Sequence, residues 1–193
     1  MIKKGQLFQL RPEARSDEMS DAGLVAACAA ADRTARALLF ERHVDAIHRF
    51  VGRMKGSDSD ALDDLVQVTF VRAFQSAGRF RGTSARSWLF GIAANVVREH
   101  ARKEIRRKRA LSIVAQSGDL PRVTPGHDLM LARLPGAIAA LPHEQHAAFV
   151  LIDMEGEKGV DAAAALGIPE GTLWRRVFNA RTALRKALVG GDP

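Results

Sequence analysis

Apolar residues recur along this chain at steps of three and four, and sustained alternation is absent, so the pattern reads as helix throughout. After a patternless leader over residues 1–17, Ser20 and Asp21 offer capping side chains for a helix over about 22–31. A second helix spans about 34–54, with Leu38, Leu39, Ile47, Phe50 and Val51 on its inward side. The polar run from Gly56 to Asp60 breaks it and starts a third, on which Leu62, Val66, Phe70, Ala73 and Ala77 form one stripe. Residues 78–84 are a loop. A fourth helix begins near Ser87 and lines up Trp88, Leu89, Ile92, Ala93, Val96 and Val97 before running into a basic stretch.

Between about residues 110 and 128 the periodicity dissolves into Gln, Ser, Gly and Asp punctuated by Pro121 and Pro125, the composition of a flexible linker. It returns in short helices over 129–140 and 143–154, a small helix over 160–166, and a long one over 170–189. The fold class is therefore all-α: two small helical domains, over 18–109 and 129–193, joined by the linker at 110–128.

Charge changes this picture from a generic bundle to a polyanion binder. The net charge is +7. Arg98 to Arg109 holds seven bases and two acids, and Gly171 to Lys186 holds five bases and no acid, so each carries +5 and the remainder is slightly acidic. Two cationic segments at the ends of two helical halves fit a protein that grips nucleic acid in two places. A membrane surface would call for a basic helix with an unpartnered apolar face, and none stands out. The one cysteine, Cys28, lies in a run of alanines, excludes an internal disulfide and reads as a small buried residue. Nothing approaches the length of a membrane span, and the expected location is the cytoplasm.

Catalytic and metal readings find no support. His43 and His48 do not share a helix face; His143 and His146 do, but a pair without further ligands reads as solvated surface. Asp63 and Asp64 are adjacent and diverge. There is no phosphate-binding glycine loop and no nucleophile with a partner. The chain is expected to be no enzyme and to need no cofactor or metal.

Residues 160–188 have the chemistry of a helix-turn-helix. Ala162 to Ala165 allow close helix approach, Gly167 can take the left-handed conformation that ends a helix, and Pro169 suits the start of the next. The second helix buries Leu173, Val177, Ala180, Leu184 and Leu188. It offers Thr172, Arg175, Arg176, Asn179 and Lys186 outward, with Trp174, Phe178 and Arg181 toward the edges and Gly171 at its start. Arginine pairs with guanine, asparagine with adenine, and a helix N-terminus holds a phosphate, so such a helix suits a major groove. In the first half, the loop of Phe80, Arg81, Gly82, Thr83, Ser84 and Arg86 is small and polar with an aromatic at its start. It can receive an unstacked base, an interaction worth ~1–3 kcal/mol. Trp88, by its spacing, reads as core, and Phe90 is open between core and base contact.

Asp63 to Phe74 and Phe80 to Asn95 resemble conserved regions of bacterial sigma factors of the extracytoplasmic-function (ECF) group in the sigma-70 family. So do Leu141-Pro142, Met154-Glu155-Gly156, Leu166-Gly167-Ile168, Gly171-Thr172-Leu173 and Ala180-Arg181 in the second half. The resemblance covers about residues 20–188. It implies that the first domain is sigma region 2 and the second sigma region 4. It further implies that Asp64, Gln67, Val68 and Val71 dock the β′ clamp helices of core RNA polymerase. Without it, Asp64 and Gln67 read as a helix N-terminal acid and a solvated glutamine.

The resemblance also implies that the loop at 80–87 captures a flipped −10 base, while Asn95 and Arg98 meet the duplex upstream. The outward residues of the last helix would then read the −35 element, core polymerase (β′ and β flap) and promoter DNA would be partners, and an anti-sigma protein a regulator. Val68 stands where an acidic residue is usual, Trp174 and Arg175 where a basic residue and serine are common, and Asn179 for a frequent arginine. These departures bear on polymerase affinity and promoter choice. A stand-alone helix-turn-helix regulator, or a basic scaffold without sequence preference, are the alternative readings.

Overall fold

The computed structural model describes residues 19–55, 60–82, 84–112 and 129–189; the expected leader, the linker from 113 on and Thr83 of the candidate loop lie outside them. Among the described residues eight α-helices follow in order: α1 (Asp21–Ala29), α2 (Arg33–Lys55), α3 (Leu62–Ser76), α4 (Ala85–Ser112), α5 (Leu129–Ala139), α6 (His143–Phe149), α7 (Gly159–Leu166) and α8 (Glu170–Val189). Among the described residues there is no strand.

Local chemistry sets the helix ends. Ser20 Oγ accepts the Gly23 amide at 3.2 Å and caps α1. Ala31, at φ 64°, turns the chain, and Asp32 Oδ1 then accepts the amides of Thr34 and Ala35 at 2.7 and 2.9 Å to open α2. α4 starts two residues earlier than its apolar stripe predicts, because Ser84 Oγ accepts the Ser87 amide at 3.1 Å and the cap, not the stripe, sets the boundary. It also runs to Ser112, three residues into the span expected as linker. Gly167, at φ 65°, ends α7 in the left-handed region, with the Ile168 amide reaching back to the Ala163 carbonyl at 3.0 Å.

α1 to α4 pack as a bundle. Leu24, Val25, Cys28, Leu38 and Leu39 fill one end, and Ile47, Phe50, Val51, Val66, Phe70, Leu89, Phe90 and Val97 the other. Phe90 is fully buried against Phe50, ring centroids 4.8 Å apart, which assigns it to the core. Arg72 bonds Glu99 at 2.6 Å and Lys55 bonds Glu104, tying α3 and α2 to the exposed face of α4. Arg72 thereby holds the Glu99 carboxyl below its usual range. In the second half, α6 widens into a π-helical turn over Val150–Met154, and α8 lays Leu173, Val177, Ala180 and Leu184 against α5, α6 and α7.

The two halves share one core. Ala147, Ala148, Val150, Leu151, Ala162, Ala163, Leu173 and Val177 are continuous with the apolar residues of α2, α3 and α4. α4 and α7 approach closely, so that a Cβ placed on Gly91 would lie 2.1 Å from the carbonyl oxygen of Ala165. His143 and His146, expected at a solvated surface, are instead part of this junction: His143 Nε2 lies 3.1 Å from the Ala94 carbonyl oxygen, and His146 is buried. Both sit on the side of α6 that turns toward α2 and α4, and burial lowers both pKa values, that of His146 to about 4. Cys28 is fully buried in the bundle, and burial pushes its thiol pKa up.

Candidate nucleic-acid interface

Three surfaces carry the residues singled out from the sequence. On α3, Leu65, Val66, Thr69 and Phe70 face the core, which leaves Asp64, Gln67, Val68 and Val71 outward. All four are exposed, Val68 by 40% and Val71 by 49%, so the helix brings together one face of mixed apolar and polar character. Phe40 of α2, also 40% exposed, meets α3 through its ring contact with Phe70 at 4.7 Å. Sequence reading missed Phe40, although steps of four, three and four from it reach Val44, Ile47 and Val51.

The second surface is the loop between α3 and α4. A short 3₁₀ turn, Ala77–Arg79, precedes it. Arg81 folds back so that its guanidinium donates to the carbonyls of Gly78 and Phe80 at 3.0 and 2.8 Å. Gly82 lies under the Phe80 ring, and that ring packs on Trp88 with centroids 5.2 Å apart. Phe80, Arg81, Gly82, Ser84, Ser87 and Trp88 line a cleft of ≈ 300 Å³ whose far wall is Asp161, Ala164 and Ala165 of α7. Trp88 packs against both apolar clusters, as its spacing predicts, while remaining half-buried and showing part of its ring to this cleft.

Arg86 is engaged elsewhere: it donates to Glu155 Oε2 at 3.0 Å, lies 3.4 Å from Glu157 Oε1, and stacks over Phe90 at 5.2 Å. Asn95 is exposed and accepts from Arg98 at 2.8 Å. Both line a second cleft with His143, Glu144 and Arg176.

The third surface is the outer face of α8. With Leu173, Val177, Ala180 and Leu184 inward, the opposite stripe is Gly171, Arg175, Phe178 and Thr182, all exposed, flanked by Asn179. Thr182 was missed by sequence reading, although continuing the steps of four, three and four from Gly171 would have found it. Phe178 is 67% exposed, too much for a core residue. Trp174 lies at the edge, its indole N–H donating to Glu170 at 3.1 Å and its ring over Gly159. Thr172 is half-buried.

The candidate arginines separate by partner. Arg176 is paired with Glu144, and Arg181 makes a bidentate pair with Asp153 at 2.6 and 3.1 Å. Arg175 has no partner among the described residues. The structure thus keeps Arg175, Phe178 and Asn179 together on the open stripe and draws Arg176 and Arg181 toward α6 and the π-helical turn.

Among the described residues no group of three His, Cys, Asp or Glu could hold a metal ion, and no helix is long and apolar enough to cross a membrane. A helical bundle joined to a helix-turn-helix, each with a cationic or cleft-bearing outer surface, has the architecture and charge of a nucleic-acid-binding protein.

Comparison with known proteins agrees. Residues 39–107 match the family Sigma-70 region 2, and residues 131–184 match Sigma-70, region 4. The chain is 37% identical over 178 residues to the ECF RNA polymerase sigma factor SigM of Mycobacterium tuberculosis, covering 89% of this chain and 86% of that one. It is 28% identical over 182 residues to the ECF RNA polymerase sigma-E factor of Salmonella typhimurium, covering 88% and 94%.

Two solved structures are similar. The sigma factor RpoE in complex with the anti-sigma factor NepR from Bartonella quintana gives a TM-score of 0.61 at 28% identity, over 79% of this chain and 96% of that one. CnrH in complex with the cytosolic domain of CnrY gives 0.63 at 26%, over 89% and 99%. The chain belongs to the sigma-70 family, and within it to the ECF sigma factors, the group of transcription initiation factors that its sequence resembles.

Proposed function

We propose that the protein binds core RNA polymerase through α3, reads a −35 element with α8, and captures an unstacked −10 base in the cleft at Phe80 to Trp88. The observation that carries this reading is the presence of regions 2 and 4, in order, on one chain, each presenting a distinct exposed surface of the required chemistry. For docking, the residues are Asp64, Gln67, Val68 and Val71, with Phe40 extending the face. For the −10 element they are Phe80, Arg81, Gly82, Ser84 and Arg86 of the loop, with Asn95 and Arg98 toward the upstream duplex. For the −35 element they are Arg175, Phe178, Asn179 and Thr182 on the open stripe, with the α8 N-terminus at Gly171 toward a phosphate.

Trapping an extruded base offsets an unpairing cost of a few kcal/mol, so strand opening needs no nucleotide hydrolysis by this chain. An anti-sigma partner is supported by the similar sigma factor RpoE, which was solved in complex with the anti-sigma factor NepR. The test is transcription from a selected promoter library with purified core polymerase. Initiation at a preferred promoter is the expected result. DNA binding without initiation would instead make the chain a stand-alone regulator.

A further inference from the structure

Glu155 and Glu157 follow the π-helical turn of the second half, yet their carboxylates lie in the first half. Their side chains are only 3% and 8% exposed. Glu155 pairs with Arg53 of α2 and with Arg86 of α4, and Glu157 with Arg86 and the Ser87 hydroxyl. A buried carboxylate is stable only where cations and donors surround it, and here every donor side chain in the cluster comes from region 2. Two guanidiniums and a hydroxyl converging on carboxylate oxygens are also the donor set that holds a phosphate. The cluster borders the loop whose cleft is proposed to take a −10 base, and α7, held against that loop, supplies the far wall.

We infer that Arg53, Arg86 and Ser87 form a binding site for a backbone phosphate of single-stranded DNA, and that Glu155 and Glu157 of region 4 occupy it as phosphate mimics when the two halves are closed on each other. The inference rests on the sigma-factor reading. Separation of the halves frees the site as it uncovers the cleft, so strand binding and domain opening are coupled: DNA and the acid pair compete for the same cations. The crossing of α4 and α7 holds the closed state. At Gly91 a side chain has no room, because the atoms it would meet are the backbone of Ala165 rather than a flexible side-chain end.

This contact supplies a charge-neutral test. Gly91→Ala adds one methyl group at the crossing, inside a helix where alanine is the better former, so region 2 stays folded while the halves are wedged apart. Full-length parent, Gly91→Ala, Glu155→Gln/Glu157→Gln and the triple variant with Arg53→Ala added are compared. Each is measured for radius of gyration by solution scattering, helix content by circular dichroism, and affinity for a fluorescein-labelled dT20 strand. Gly91→Ala and the double variant should both expand and bind dT20 about tenfold more tightly than the parent, and Arg53→Ala should remove most of that gain.

A compact Gly91→Ala protein, an expanded one with parental affinity, or a gain that persists without Arg53 would each overturn the inference. If Gly91→Ala loses helix, the double variant and its Arg53→Ala derivative decide alone. Promoter-dependent initiation by holoenzyme with the parent chain is run alongside; its failure would remove the sigma reading, whereas the binding series judges the masked site itself.

Discussion

Individual side chains divide here into those that face outward for recognition and those used within the fold. Arg175, Arg176 and Arg181 are neighbours in sequence, but Glu144 and Asp153 engage the last two. Arg175→Ala should therefore cost about 1–3 kcal/mol of discrimination at one base pair of the promoter, seen as relaxed preference in binding selections. Arg181→Ala should leave base preference unchanged and act on the fold instead.

His146 makes a second residue-scale prediction. Its buried imidazole has a pKa near 4 against 6.5 in the unfolded chain, so between those values the unfolded chain binds the proton that the folded one excludes. Stability is then full above pH 6.5 and falls as pH drops toward 4. His146 alone contributes a loss of about 2 kcal/mol between pH 7 and 5, and His143, depressed in the same direction, adds to it. Urea midpoints at the two pH values in the parent and in His146→Gln check this, since the variant lacks that part of the slope.

At the scale of elements, helix faces set what each surface can touch. The outward face of α3 carries two exposed valines where the family pattern has an acid at one of them. Val68→Glu should change affinity for core polymerase by about 0.5–1 kcal/mol, upward against a cationic facing surface and downward against an anionic one, measured by competition for core enzyme. Unchanged affinity would place position 68 outside the interface.

Most elements were legible in the sequence, because stripes such as Leu62, Val66, Phe70 and Ala73 state the buried side directly. Gly167 and Pro169 likewise marked the turn before α8. Helix starts were less legible: the side chain of Ser84 sets where α4 begins, and a cap one residue outside the helix leaves no periodic trace. The fates of His143, His146 and Glu155 were not legible at all. Nothing within a few residues of them shows that a helix from the other half closes over them.

For the whole molecule, the shared core makes a prediction about cooperativity. Leu89 and Phe90 of region 2 and Leu151 and Leu173 of region 4 belong to one continuous apolar cluster. Calorimetry of the parent should show one transition, because neither half can unfold without uncovering the other. Gly91→Ala should show two, as the junction loosens and each half unfolds with its own midpoint.

The placement of Cys28 bears on how a cell could speak to this protein. A thiol sealed inside the α1–α2 end of the bundle, and held in its protonated form, is a poor target for peroxide and for a disulfide partner. It is the one sulfhydryl in the sequence. A thiol oxidant reaches Cys28 only after the α1–α2 end of the bundle opens.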